Sequence, residues 1–229
     1  MRRSVVVSLL ASVVLAGCSS DPTTAANGGA NAGLLVINAN VAPVDILMDG
    51  AVVKGAVAPG QVTTLTASTG SHVLELRQTG AATGSTASFA TSARYQRAFA
   101  AVRTSSGALA AATLDDTGSV VPAGATKLRV LHLAAVAGEL QVYRTQPDYQ
   151  TPVRWQFPFT YQPEPTSLSA PYYQSTVGTW EVHVWQAPAD ASGWSSASVK
   201  VQVPLGSGQK KTIVILDQAG GGVRVEVID

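Results

Sequence analysis

The sequence predicts an all-β protein: two tandem immunoglobulin-like or transthyretin-like antiparallel β-sandwiches behind a removable N-terminal leader and a flexible tether. Three observations predict it. Short apolar stretches alternate with Gly, Asn, Asp and Pro turns through most of the 229 residues. Charged residues are only 13%, and Val, Thr, Ala and Gly predominate over the long charged runs of surface helices. Most telling, the second half of the chain repeats the first in register.

The leader comes first. A basic start, Met1-Arg2-Arg3, precedes an apolar run from Val5 to Leu15. That run is too short for a permanent membrane span and has the form of a secretory signal. It ends in Leu15-Ala16-Gly17-Cys18, which resembles the lipobox of bacterial lipoproteins. The resemblance implies that residues 1–17 are removed and that Cys18 is lipidated. Cys18 is the only cysteine, so an intramolecular disulfide is excluded even in an oxidising compartment. Each buried methylene of an acyl chain contributes about 0.8 kcal/mol, so two or three chains hold firmly where one is marginal. Ser19 follows the cysteine. By the same resemblance, the lack of aspartate there favours the outer membrane over inner-membrane retention in a two-membrane organism.

Residues 18–33 are small and polar with no apolar period, a composition that leaves the chain as a tether. As a flexible coil its reach is about 20 Å.

Within residues 34–116 strands are predicted at Leu34–Asn38, Val44–Met48, Val62–Thr66, His72–Gln78, Ala87–Ala90, Arg94–Thr104 and Ala108–Asp115. Asp49-Gly50 between alternating residues is a hairpin signal, because a primed turn needs positive φ. The run Ala108-Leu109-Ala110-Ala111-Ala112 favours helix by propensity alone. The repeat overrides that preference.

After a linker at residues 117–126 the pattern starts again, in a second unit at 127–229. LLVINANVAPVDIL from Leu34 aligns with LRVLHLAAVAGELQ from Leu128, 94 positions on. HVLELRQ from His72 aligns with WEVHVWQ from Trp180 at an offset of 108, and Ala98–Asp115 aligns with Thr212–Asp229 at 114. This lays the alanine run over Val223–Ile228, where Val223, Val225 and Val227 alternate with Arg224 and Glu226. Both are therefore read as strands. In the middle block Leu74 and Leu76 align with Val182 and Val184 and are predicted to face the core, with Glu75, Arg77, His183 and Trp185 on the opposite face. Each half then has about seven strands, enough for two packed sheets.

The openings Leu34–Gly50 (LLVINANVAPVDILMDG) and Lys127–Tyr143 (KLRVLHLAAVAGELQVY) resemble those of DUF4397-like domains, a bacterial extracytoplasmic family of unknown function. Its members open in the form VRVVHASPDAPAVDVYVDG and often stand in tandem on lipoproteins. Val44-Asp45-Ile46 and Asp49-Gly50 fit in the first copy, and His132 fits the family's histidine in the second. The first copy has Asn38 at that place, and the second lacks the Asp-Gly turn. The resemblance carries no activity, cofactor or catalytic residue with it.

The net charge is +1 from 15 basic and 14 acidic residues, without a basic stripe, which argues against nucleic acid as a partner. His72, His132 and His183 fall at unrelated repeat positions and share no metal-ligand spacing. A structural hydrogen bond is the expected role of His132, and no metal or cofactor site is predicted. Asp115 and Asp116 lack the rest of a calcium loop, and Gly220-Gly221-Gly222 falls in the same turn as Ser105-Ser106-Gly107 of the first copy, so it reads as a turn and not a phosphate cradle.

One asymmetry suggests a surface. Only Phe89, Tyr95 and Phe99 represent the aromatics before the linker, whereas the longer second copy carries Trp155, Phe157, Phe159 and Tyr161 at a spacing of two. On an extended strand these share a face. Pro158 among them implies an edge or irregular position. With Trp185 they form a candidate platform for a glycan, peptide or envelope protein, or else a cap on the second sandwich.

The function expected from these residues is non-enzymatic: a lipid-anchored cell-envelope protein that binds or scaffolds, touching the membrane through its N-terminal anchor. The competing expectation is an envelope hydrolase of cell-wall or surface polymers using His132 or His183 as acid/base. No G-x-S-x-G, S-x-x-K or H-E-x-x-H motif supports the latter.

Overall fold

The structure is a computed structural model, and it describes residues 31–92, 96–104, 106–114, 121–145, 153–154, 167–168, 172–186, 199–218 and 220–228. Cys18, the leader, the tether through residue 30, Asp115, Asp116 and the row Trp155, Phe157, Phe159 and Tyr161 lie outside the described residues, whereas Ala32 and Gly33, assigned to the tether from composition, open the first strand, paired with Ala67 and Thr66.

All regular structure there is β. The first half contains β1 (Ala32–Asn38), β2 (Val44–Met48), β3 (Ala51–Val57), β4 (Val62–Ala67), β5 (Gly70–Gln78), β6 (Ser85–Thr91), β7 (Gln96–Arg103) and β8 (Leu109–Leu114). The second contains β9 (Ala125–His132), β10 (Leu140–Thr145), β11 (Val153–Arg154), β12 (Ser167–Leu168), β13 (Tyr173–Thr176), β14 (Gly178–Gln186), β15 (Val199–Leu205), β16 (Lys210–Asp217) and β17 (Val223–Ile228). The alanine-rich run is strand β8, as the repeat requires. The first half has eight strands, one beyond the seven counted in its sequence. The missed strand is β3, whose first six residues are exposed and whose Lys54-Gly55 breaks any period.

The two halves have the same topology. One sheet runs β8-β7-β1-β4 and its counterpart β17-β16-β9-β13; the other runs β3-β2-β5-β6 and its counterpart β11-β10-β14-β15. This is a β-sandwich in each half, but not of the immunoglobulin arrangement, where first, second, fifth and fourth strands share a sheet. The transthyretin-like alternative is the one left. Nor is it wholly antiparallel, since β1 pairs with β7, and β9 with β16, in parallel. Parallel neighbours need a long crossover, and here the whole opposing sheet supplies it.

Strand pairing tests the repeat register residue by residue. Gly33 faces Gln96 as Lys127 faces Lys210, and Leu76 faces Ser85 as Val184 faces Val199, which reproduces offsets of 94, 108 and 114. The first block does not hold one offset throughout. Val44 lies opposite Gln78 and Leu140 opposite Gln186, so β2 and β10 are 96 positions apart. The β9–β10 loop is longer by two residues, and the ungapped alignment hides this because both registers place apolar residues inward.

Three apolar layers result. Leu34, Val36, Ile46, Leu74, Leu76 and Phe99 fill the first sandwich. Leu128, Val130, Val142, Val182, Val184 and Ile213 fill the second. Between the halves lies a third core, of Ile37, Ala100, Val102 and Leu114 against Leu131, Leu133, Val214 and Leu216. The sheets containing β1 and β9 therefore bury both faces, and the chain is a stack of four sheets. Equivalent residues meet, Ile37 and Leu131 being 94 apart and Ala100 and Val214 being 114 apart, so the halves associate like the two partners of a symmetric dimer. β12 reinforces the join by pairing in parallel with β8 of the first half.

Leu131 is 2% exposed in this middle layer. Leu131→Ala is expected to lower stability by about 2–5 kcal/mol in urea titrations, the range for a core truncation. A loss below 0.5 kcal/mol contradicts a shared core. Gly60 (φ +74) gives a second check, because a Cβ there would lie 3.1 Å from Arg224 of the other half. Gly60→Ala should cost roughly 1–3 kcal/mol by strained backbone and the displaced guanidinium.

Candidate functional site

The two loops that follow the first strand of each half are built alike from different residues. Asn38 is buried at the end of β1; its Oδ1 accepts the Asn40 N–H at 2.9 Å. Its Nδ2 donates to the carbonyls of Ala42 at 3.0 Å and Val57 at 2.8 Å. His132 is buried at the end of β9; its Nδ1 accepts the Ala134 N–H at 3.3 Å and its Nε2 meets the Gly138 carbonyl at 2.6 Å. Ala42 and Gly138 are the same position once the offset of 96 is used. Asparagine and histidine thus perform one task, pinning the turn across its base, and the histidine goes with the loop that is two residues longer. The bonds assign the neutral tautomer with hydrogen on Nε2. Burial, the leading cause, pushes the His132 pKa down; the Gly138 bond and nearby Asp217 oppose it. The structural role expected for this histidine is the one its contacts describe, and Asn38 takes it over in the first half.

The longer loop has a second support. The Asp217 carboxylate, at the end of β16, accepts the Val136 N–H at 3.1 and 3.2 Å and also the N–H groups of Ala135 and Ala137. Burial pushes its pKa up, against the lowering effect of those three donors. Because the inner sheets pack face to face, both loops open at the same end of the stack. Between them is a cleft of about 280 Å³, lined by Val41, Pro59, Val136, Ala137, Asp217 and the turn at Gln218 and Gly220–Gly222. The glycine run is the predicted hairpin turn, closed by Gln218 N–H to Gly222 O at 3.1 Å, as Thr104 N–H to Ala108 O closes its counterpart at 2.8 Å.

At the opposite end of the first sandwich, Asp49-Gly50 forms the expected hairpin, with φ of +51 and +82. Asp49 Oδ2 lies 2.7 Å from His72 Nδ1, and His72 Nε2 lies 3.0 Å from the Ser68 carbonyl and 3.4 Å from Ser68 Oγ. A Ser-His-Asp series suggests a nucleophile, but Nε2 is turned to the carbonyl. In the second half Trp180, the counterpart of His72, donates Nε1–H to the Thr176 carbonyl at 3.1 Å, and Thr176 is the counterpart of Ser68. A tryptophan cannot serve as a base. The shared feature is a ring N–H tying down the turn, with Asp49 added in the first half. The bond to Asp49, then that to Ser68, raises the His72 pKa, while the same Asp49–His72 bond lowers that of Asp49.

His183 is on the strand face that the alternation predicts, opposite Val182 and Val184. It is fully buried there, with Nε2 at 2.5 Å from Glu181 Oε1. Burial lowers its pKa in spite of that carboxylate. Among the described residues no three His, Cys, Asp or Glu side chains cluster as metal ligands. Trp185 pairs with Gln141 through the backbone of β14; its side chain lies outside the described residues. The cleft is a site the sequence reading missed. Its available signal was the pair of family-like loops, each with a solvent-facing valine.

Residues 32–143 match the profile of a family described as Domain of unknown function (DUF4397). The match begins with β1 and ends within β10, taking in both loops. No match was found among curated proteins. Among solved structures, the protein of "Alpha-glucan binding by a streptococcal virulence factor" aligns at 8% identity over 80% of this chain and 91% of its own. Its TM-score is 0.24, at which the likeness carries no argument.

The two histidine latches titrate in opposite senses. His132 has a depressed folded pKa, so its contribution is complete above the unfolded value of 6.5 and is lost as pH falls toward the folded one. His132→Gln should cost about 1–3 kcal/mol at pH 7.5 and less at pH 5. His72 has a raised pKa, so its contribution is complete below 6.5 and is lost as pH rises through the folded value. His72→Gln should therefore destabilise most at pH 5. Urea midpoints at pH 5, 6 and 7.5 check both signs.

Proposed function

We propose that this chain, which belongs to the DUF4397 family over residues 32–143, is a lipid-anchored, non-enzymatic binding protein of the cell envelope. In this reading residues 1–17 are a signal peptide, Cys18 bears the lipid, 18–31 is the tether, and the sandwiches that open with β1 at Ala32 and β9 at Ala125 flank a linker that ends before β9. The outer membrane is its location if the organism has two membranes.

One observation carries the binding role: the two family-like loops, distant in sequence, are neighbours around one cleft. Their valines Val41 and Val136 are 44% and 73% exposed, although both loops are held by hydrogen bonds from the buried side chains Asn38 and His132. Rigid loops that present apolar side chains to solvent suit recognition better than packing. The row Trp155, Phe157, Phe159, Tyr161 and Trp185 belongs to the reading as a second contact surface for glycan, peptide or protein.

The hydrolase alternative draws on Asp49, His72 and Ser68, which align within hydrogen-bonding reach. Against it stands Trp180, which holds the equivalent turn without any acid/base group. The histidines first considered, His132 and His183, are buried, and burial disfavours their charged forms.

The test is made in intact cells. The wild-type chain should incorporate radiolabelled palmitate and Cys18→Ser should not. A photocrosslinker at position 136 should capture a discrete partner that Val41→Ser reduces. Absence of label and of any crosslink overturns the reading, and turnover of a cell-wall polymer abolished by Ser68→Ala favours the alternative.

A further inference from the structure

The cleft joins an aliphatic rim to a single carboxylate. Val41 and Val136 occupy comparable places on the twin loops, with Pro59 and Ala137 beside them, and Asp217 supplies the charge. Its volume of about 280 Å³ lies just under the range of drug-sized pockets and suits one side chain better than an oligosaccharide.

Asp217 differs from the other carboxylates that meet a basic side chain. Asp49 is paired with His72, Glu181 with His183 and Glu226 with Arg224. No ion pair of Asp217 is found among the described residues. The basic group that influences it is His132, on the strand beside it, whose charged form burial disfavours. The three N–H groups of the loop bond the carboxylate without cancelling its charge. A partly desolvated anion at an open cleft is complementary to a cation small enough to enter.

We propose that the cleft receives a primary ammonium on an aliphatic stem, in the form of a lysine side chain of a peptide or protein partner. The ammonium meets the Asp217 carboxylate beside the three loop N–H groups, and the methylenes lie between Val41 and Val136. Lysine fits better than arginine because its compact head needs no planar, bidentate seat, and no second carboxylate lines the cleft. The proposal rests on the binding reading above and adds the chemistry of what is bound.

N-acetyl-lysine methylamide and its uncharged analogue N-acetyl-norleucine methylamide distinguish the outcomes, titrated into the tethered chain at low salt and followed by NMR shifts. The lysine derivative should bind at least ten-fold more tightly, with shifts at residues 41, 136 and 217, and salt should weaken it. Asp217→Asn should abolish the preference, and Val136→Ser should weaken both ligands. Equal binding of the two compounds by the wild-type chain overturns the proposal whether or not Asp217→Asn folds, as does a preference that survives in a folded Asp217→Asn. If neither compound binds at millimolar concentration while position 136 still crosslinks a partner, the ammonium is wrong and the binding role stands; if the crosslink fails too, both fall.

Discussion

The structure depends on apolar contact between the two inner sheets. A free-standing sandwich keeps the outer face of each sheet wet, so its strands alternate. Here β16 runs Ile213-Val214-Ile215-Leu216 with all four side chains fully buried, and β7 buries Phe99, Ala100, Ala101 and Val102 in the same way. One set faces its own sandwich and the other faces the opposite half. Everything at the end of the stack follows, because two loops separated by 94 positions become neighbours only when these faces meet. Residue size is matched across the layer: alanines on β7 and β8 of the first half oppose Leu131, Leu133, Val214 and Leu216 of the second. Such pairing of small with large fills the space without voids.

Against this fixed frame, the halves have diverged in the residues that hold their turns while keeping the bonds. A side-chain acceptor for the backbone two residues on, and a donor to the far side of the loop, are supplied by Asn38 in one half and His132 in the other. A ring N–H to a carbonyl four residues back is supplied by His72 and by Trp180. The requirement in each case is that a carbonyl with no ladder partner be satisfied. This is why the histidines look unrelated in the sequence: two of the three are interchangeable with residues that have no acid/base chemistry at neutral pH.

Much was legible in the residues. The Asp49-Gly50 hairpin, the strand character of the alanine run and the inward positions of Leu74, Leu76, Val182 and Val184 all follow from local geometry and the repeat. The two-residue insertion before β10 was not legible, because a shift of two preserves the alternation of a strand and so leaves no mark in a hydrophobic pattern. Strand β3 was hidden for a different reason. As an edge strand it is exposed through Ala56, has a register irregularity against β2, and need not show a buried stripe. Burial of β7 and β16 on both faces was not anticipated, because an unbroken apolar run does not name what covers it.

By itself, then, the sequence determined the β class, the twofold repetition and most strand positions, since these arise from φ/ψ preference, side-chain alternation and spacing along one chain. Tertiary structure alone decided that β1 and β7 run parallel, that the halves share a core, and that Val41, Val136 and Asp217 surround one cleft. Those outcomes depend on which surfaces meet. A linear pattern records that a face is apolar, whereas its partner is selected by the shape and packing of residues far away in the chain.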